Sequence, residues 1–209
     1  MITMKKIGLL LGSFNPLTTA HIMMASCVLN SGLCDKVLFV VAKHNPWKKE
    51  EPVPFELRCQ MIEESIKAFG DKCEVCRFEE KHDFPVYSYI PINEAIEAYR
   101  EDEIYLICGT DTIEKIPHWK KFESEIKNKI GIIEIIRGNG TDFENPTTPF
   151  IVREGSMASL TDKGFWRIKP RMVDVSSTIV RNMVKNGMNP YPFVTEEVNR
   201  IITENNLYR

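Results

Sequence analysis

Short runs of aliphatic and β-branched residues alternate along the chain with longer stretches whose apolar positions recur every three or four residues. The first pattern predicts strands over 7–11, 36–42, 74–78, 104–108 and 131–136, with a short one near 171–173. The second predicts helices over 21–31, 55–69, 89–99, 121–129, 177–186 and 196–205. Val37-Leu38-Phe39-Val40-Val41-Ala42 is apolar throughout, which fits a strand covered on both faces. Strand then helix, joined by a few residues each time, implies an α/β chain with a doubly wound parallel sheet. A small helical appendage follows from about residue 176. The stretch 138–149, rich in Gly, Asn, Thr and Pro, reads as turns. In such sheets ligands sit beyond the carboxyl ends of the strands, near the point where strand order reverses, so the residues directly after strands carry the functional question.

Composition adds bounds. At 209 residues, 43% hydrophobic and 27% charged, the whole of 1–209 is expected to form one domain. The net charge of −2 excludes a generally basic nucleic-acid binder, though not a local basic pocket. No apolar run approaches the ~20 residues of a membrane helix, and the first residues carry no cleavage-site pattern, so neither a membrane partner nor a signal peptide is expected. The six cysteines then read as reduced thiols of a cytoplasmic protein. Cys73-Glu74-Val75-Cys76 has metal-ligand spacing but no second pair to complete four ligands, and it falls in an alternating stretch, so no metal site is expected there. A homo-oligomer is left open.

The first strand runs into Gly12-Ser13-Phe14-Asn15-Pro16-Leu17-Thr18-Thr19-Ala20-His21. Gly12 permits close backbone approach, and free N–H groups at the start of the following helix form an anion site. This is neither GxGxxG nor a Walker loop. Gly-Ser-Phe-Asn-Pro-x-Thr-x-x-His resembles the H/T-x-x-H nucleotidyltransferases, and most of all their nicotinamide/nicotinate mononucleotide adenylyltransferases, a family with a Rossmann-like fold. The resemblance continues in order: Asn45-Pro46-Trp47-Lys48-Lys49 is similar to the family's lysine-bearing loop, with Arg58 and Met61 in the helix after it. Cys108-Gly109-Thr110-Asp111 is similar to its Gly-x-Asp, Trp119-Lys120 to its Trp-Lys, Val175-Ser176-Ser177-Thr178-Ile179-Val180-Arg181 to its Ile-Ser-Ser-Thr-x-Ile-Arg, and Asn206-Leu207-Tyr208 to its C-terminus.

The resemblance implies adenylyl transfer from ATP, with Mg2+ held mainly by the ATP phosphates and water, to a pyridine mononucleotide, giving NAD or deamido-NAD and pyrophosphate. Such a reaction needs no covalent nucleophile and no general base, only two anions brought into line and their spreading charge stabilised. A site of Gly, Ser, Thr, His, Lys and Arg without a carboxylate pair suits it. By resemblance, His21 and Thr18 hold phosphates, with Lys48 and Arg181 as further catalytic residues. Gly12, Ser13, Phe14, Asn15, Gly109, Asp111, Ser176, Ser177 and Thr178 bind ATP, and Trp119, Tyr89 and Lys49 meet the mononucleotide. Which of Lys48 and Lys49 reaches phosphate stays open. Independently of family, Ser176-Ser177-Thr178 at a helix start with Arg181 one turn on reads first as an ordinary helix cap; with the other motifs it reads as a second anion cradle.

One stretch departs from the pattern. Acid-preferring relatives carry a Ser-Tyr-Thr-x-Asp-Thr-like string where this chain has Ser88-Tyr89-Ile90-Pro91-Ile92-Asn93, and Thr18 itself inclines toward nicotinamide or dual use. The alternatives are a phosphopantetheine adenylyltransferase or cytidylyltransferase of the same superfamily, and a nucleotide-binding sensor that does not turn over.

Overall fold

A computed structural model describes residues 4–44, 52–82, 86–137, 149–155, 157 and 160–209. Seven strands form one sheet: β1 Lys6–Gly12, β2 Lys36–Val41, β3 Cys73–Cys76, β4 Glu103–Gly109, β5 Gly131–Ile135, β6 Phe150–Gly155 and β7 Phe165–Pro170. Their spatial order is β3-β2-β1-β4-β5-β7-β6. All neighbours run parallel except β6, which is antiparallel to β7 at the edge. The fold is thus a Rossmann-like doubly wound α/β sheet. The chain steps outward from β1 through β2 to β3, then crosses back to lay β4 on the other side of β1. Order reverses between β1 and β4, and Gly12 and Gly109 close those two strands.

Alternation along the strands builds two cores. Ile7 and Leu9 of β1, Leu38 and Val40 of β2, and Leu106 of β4 face one layer, against α3 (Tyr89–Ala98) and the buried Ile113, Ile116, Phe122 and Ile126. Leu10, Phe39 and Ile107 face the other, against α1 (Thr19–Asn30) and α2 (Phe55–Ser65). Two further helices, α5 (Ser177–Lys185) and α6 (Glu196–Glu204), put Val180, Val198, Ile201 and Ile202 into this same second core. The helical C-terminal part is therefore built into the main domain, with α6 packed on α2, each buried aliphatic side chain contributing about 1.5–3 kcal/mol of transfer free energy.

The structure corrects three expectations. Residues 171–173 form no strand; the last strand is β7, just before them, and its edge partner β6 was not foreseen. Both are half exposed, with mixed sequences such as Ile-Val-Arg-Glu, so neither carries the continuous apolar signature of a buried strand. The helix expected over 121–129 is only a five-residue wide turn, Phe122–Ile126, because Lys121 takes a left-handed φ of 60° at its start. The helix expected over 55–69 stops at Ser65 and gives way to a tight helical stretch, Lys67–Lys72, broken by Gly70 at φ 58°. The run 138–148 lies outside the described residues, as does the Lys48–Lys49 pair. No described helix is long and apolar enough to cross a membrane, and all six cysteines are free thiols.

Candidate active site

The loop leaving β1 sets up His21. Thr18 caps α1 and is wholly buried, and its amide N–H donates to His21 Nδ1 at 3.0 Å. An N–H only donates, so Nδ1 is an acceptor and neutral His21 carries its proton on Nε2. The Thr18 hydroxyl, 2.8 Å from the same nitrogen, supports that tautomer. Phe14, at a φ of 44°, lies edge-on to the imidazole with ring centroids 5.1 Å apart. The ring is thus held on two sides, at the start of a helix whose dipole favours anions.

His21 lines a cleft of about 280 Å³ at the switch point, small for a ligand site and open to solvent on one side. Gly12, Gly109, Asp111, Trp119, Lys120, Tyr87 and Ser88 line it. A side chain at position 109 would put its Cβ 2.8 Å from Asp111 Oδ1, so glycine there leaves the carboxylate room beside the strand end. Lys120 Nζ stands 4.4 Å from the centre of the Tyr87 ring. Arg137, just past β5, also lines the cleft, and its buried Nε has no hydrogen-bond partner among the described residues. An unpaired buried donor costs about 1–3 kcal/mol, a cost that an acceptor brought by a ligand would remove.

Two buried ionisable residues, Arg58 and Glu79, brace this region. Arg58 of α2 is 1% exposed and gives every hydrogen bond to main-chain carbonyls: Nε to Val53 at 2.8 Å, Nη1 to Ser13 at 2.7 Å and Ala42 at 2.6 Å, Nη2 to Lys43 at 3.2 Å. It ties the β1 loop to the segment after β2. Glu79 accepts the Lys43 N–H at 2.9 Å, so the Ala42–Lys43 peptide is held by its oxygen and its nitrogen at once. Glu79 is 4% exposed and lines the cleft. Burial pushes its carboxyl up to about 7, outweighing the Lys43 N–H and Arg58.

The second expected cradle meets the first. Ser176 caps α5, its hydroxyl accepting the Ile179 N–H at 3.3 Å. The Ser177 hydroxyl donates to the Pro16 carbonyl at 2.7 Å, and Arg181 Nη1 to the Asn15 carbonyl at 2.8 Å. Arg181 Nη2 donates to the Thr178 hydroxyl at 3.2 Å. The two segments share one region of the surface, although these contacts run to the loop itself.

Of the residues singled out from sequence, Gly12, His21, Gly109, Asp111 and Trp119 line the cleft. Ser13, Phe14, Asn15 and Thr18 do not line it: Thr18 is buried against His21 rather than open to a ligand, and Phe14 is 2% exposed. Tyr89 is turned to Lys121, whose Nζ is 4.7 Å from its ring centre; Tyr87 and Ser88, just before it, face the cleft instead. Lys48 and Lys49 lie outside the described residues. Sequence reasoning assigned no site role to Arg58, Glu79, Lys120 or Arg137.

A doubly wound sheet with a helix-start anion loop and facing cations at its switch point defines the class: an α/β chain suited to phosphorylated ligands. A family model described as Cytidylyltransferase-like matches residues 9–183. A protein of Staphylococcus epidermidis is 30% identical over 98% of this chain and 97% of its own length, and one of Methylacidiphilum infernorum 29% identical over 94% and 89%. Both are named "Probable nicotinate-nucleotide adenylyltransferase". The solved structure of Plasmodium falciparum nicotinic acid mononucleotide adenylyltransferase complexed with NaAD superposes with a TM-score of 0.76 over 98% of this chain and 97% of that one, at 20% identity, a likeness of fold. The chain belongs to the cytidylyltransferase-like family and, within it, to the nicotinamide/nicotinate mononucleotide adenylyltransferases. It is a nucleotidyltransferase.

Proposed function

We propose that residues 1–209 form one catalytic domain that joins nicotinate mononucleotide to the adenylyl group of ATP, releasing pyrophosphate. An ionised oxygen of the mononucleotide 5′-phosphate attacks the α-phosphorus of ATP. The bond from that phosphorus to the oxygen bridging toward the β-phosphorus breaks, and pyrophosphate leaves with the electron pair. With a second phosphate pKa of ~6 the nucleophile is ionised at neutral pH, so no side chain has to remove a proton. The protein's task is alignment and charge stabilisation.

The observation that carries this reading is His21 held by Thr18 as an Nε2–H donor beside Gly12 and Gly109, where strand order reverses. In it, His21 donates to the phosphates, Thr18 fixes the His21 tautomer, and the 12–15 loop with Ser176–Thr178 and Arg181 borders the triphosphate. Lys48 or Lys49 supplies a further cation. Asp111 takes a ribose hydroxyl, and Trp119 with Tyr87 packs the pyridine ring. The names of the curated relatives and the cations Lys120 and Arg137 at the cleft favour the carboxylate form over the carboxamide. Mg2+ would arrive on the triphosphate, held by its oxygens and by water. The ion would add positive charge at the leaving group; the chain's own residues bind and orient.

Purified protein incubated with ATP, Mg2+ and each mononucleotide is expected to form dinucleotide and pyrophosphate in equal amounts, with a higher kcat/KM for the nicotinate form. Conversion of neither mononucleotide would sink the reading.

A further inference from the structure

Tyr208 lies beyond α6 and returns toward the β1 loop through left-handed turns at Asn206 (φ 50°) and at Tyr208 itself (φ 63°). Its hydroxyl donates to Asn15 Oδ1 at 2.9 Å. The same oxygen accepts the Val53 N–H at 3.2 Å, and the Asn15 main-chain carbonyl accepts Arg181 Nη1 at 2.8 Å. Three distant segments therefore converge on one side chain and its peptide. Burial raises the Tyr208 pKa despite Arg181 and Arg58 nearby, so the hydroxyl remains a donor throughout the neutral range.

Asn15 lies between Ser13, whose carbonyl Arg58 holds, and Thr18, which sets His21. Its carboxamide is the one described side chain of the 12–15 loop joined to both the α2 lead-in and the segment after α6. We propose that Tyr208 is a positioning residue for adenylyl transfer: through the Asn15 carboxamide it holds the loop beneath His21 in the shape that receives the triphosphate. This rests on the adenylyltransferase reading above. Small misplacements at a reacting centre are costly, on the order of 10²-fold in rate for 1 Å. Loss of one buttress, with Val53 and Arg181 still in place, is expected to be milder.

The test uses the full chain as wild type, Tyr208→Phe, Asn15→Ala and the double variant. The readouts are kcat and KM for ATP, the Kd of a non-hydrolysable ATP analogue, and the melting temperature. Tyr208→Phe is expected to lower kcat/KM for ATP by about tenfold and to weaken the analogue. Asn15→Ala should lose more, and the double variant no more than Asn15→Ala alone. Equal kinetics in wild type and Tyr208→Phe, a lowered melting temperature with unchanged kinetics, or losses that multiply in the double variant would each overturn the proposal. Were wild type itself to convert no mononucleotide, the adenylyltransferase reading would fall separately. The analogue then decides the hub: a Kd unaltered in Tyr208→Phe rejects it, and a Kd weakened only where Asn15 is intact retains it.

Discussion

At the scale of single residues, His21 is prepared by the nitrogen that faces inward. Nδ1 is occupied by the Thr18 amide and hydroxyl, so rotation and tautomer are both settled by groups at the helix cap. Removing the imidazole removes a donor without emptying the core, because the ring is only half buried. His21→Ala should therefore reduce kcat by at least about 10²–10³-fold while the thermal unfolding curve stays close to wild type. Glu79 is the opposite case, a group whose protonation the fold controls. Its carboxyl titrates near 7 in the folded chain, against an ordinary value of 4.5, so the folded state keeps a proton between those values that the unfolded state releases. Wild-type stability accordingly falls as pH rises from about 4.5 to 7 and then levels. Glu79→Gln carries no such penalty. Relative to wild type it should be more stable at pH 8 than at pH 5, by about 2 kcal/mol between the two, in denaturant unfolding at each pH.

At the scale of elements, legibility followed burial. Strands β1, β2, β4 and β5, covered on both faces, stand out as apolar runs, and the starts of α2, α3, α5 and α6 fall where the helical period begins. The edge pair β6 and β7 does not stand out, since only three of its twelve residues are buried and no continuous apolar run results. Gly12 and His21 were legible in the loop that leaves the first strand, where a sheet of this kind binds ligands, whereas Gly109, Asp111 and Trp119 came from the family resemblance. Arg58 and Glu79 were not. A lone arginine in an amphipathic helix and a glutamate followed by Glu80 and Lys81 both look like solvated surface. Their burial arises from loops that converge only in three dimensions. In Arg58→Leu, four main-chain carbonyls lose their donor in a closed environment, three of them from segments separate in sequence. That variant should lose about 3 kcal/mol or more of stability, read as a lower urea midpoint with an unchanged slope.

At the scale of the whole molecule, two segments far apart in sequence meet at the β1 loop. The 12–21 loop comes from the centre of the sheet, and the segment from Ser177 to Tyr208 folds across it. Besides Ser177, Arg181 and Tyr208, the carbonyls of Pro192 and Phe193 receive the Thr19 hydroxyl and amide at 2.7 and 2.9 Å. This convergence was foreseeable in outline, because both segments carry anion-binding residue types. The direction of the contacts was not. Ser177 and Arg181 read from sequence as an anion cradle or a helix cap, and their bonds to the Pro16 and Asn15 carbonyls depend on how α5 packs on the second core.

That fold-over has a consequence for how the molecule comes into being. A chain delivered to solution in order from its first residue lays down β1 and the 12–18 turn early and all seven strands before Ser177 emerges, yet the turn has to wait for Tyr208 before its last hydrogen bond can form. Completion of that turn then follows the whole of the sheet and does not accumulate strand by strand.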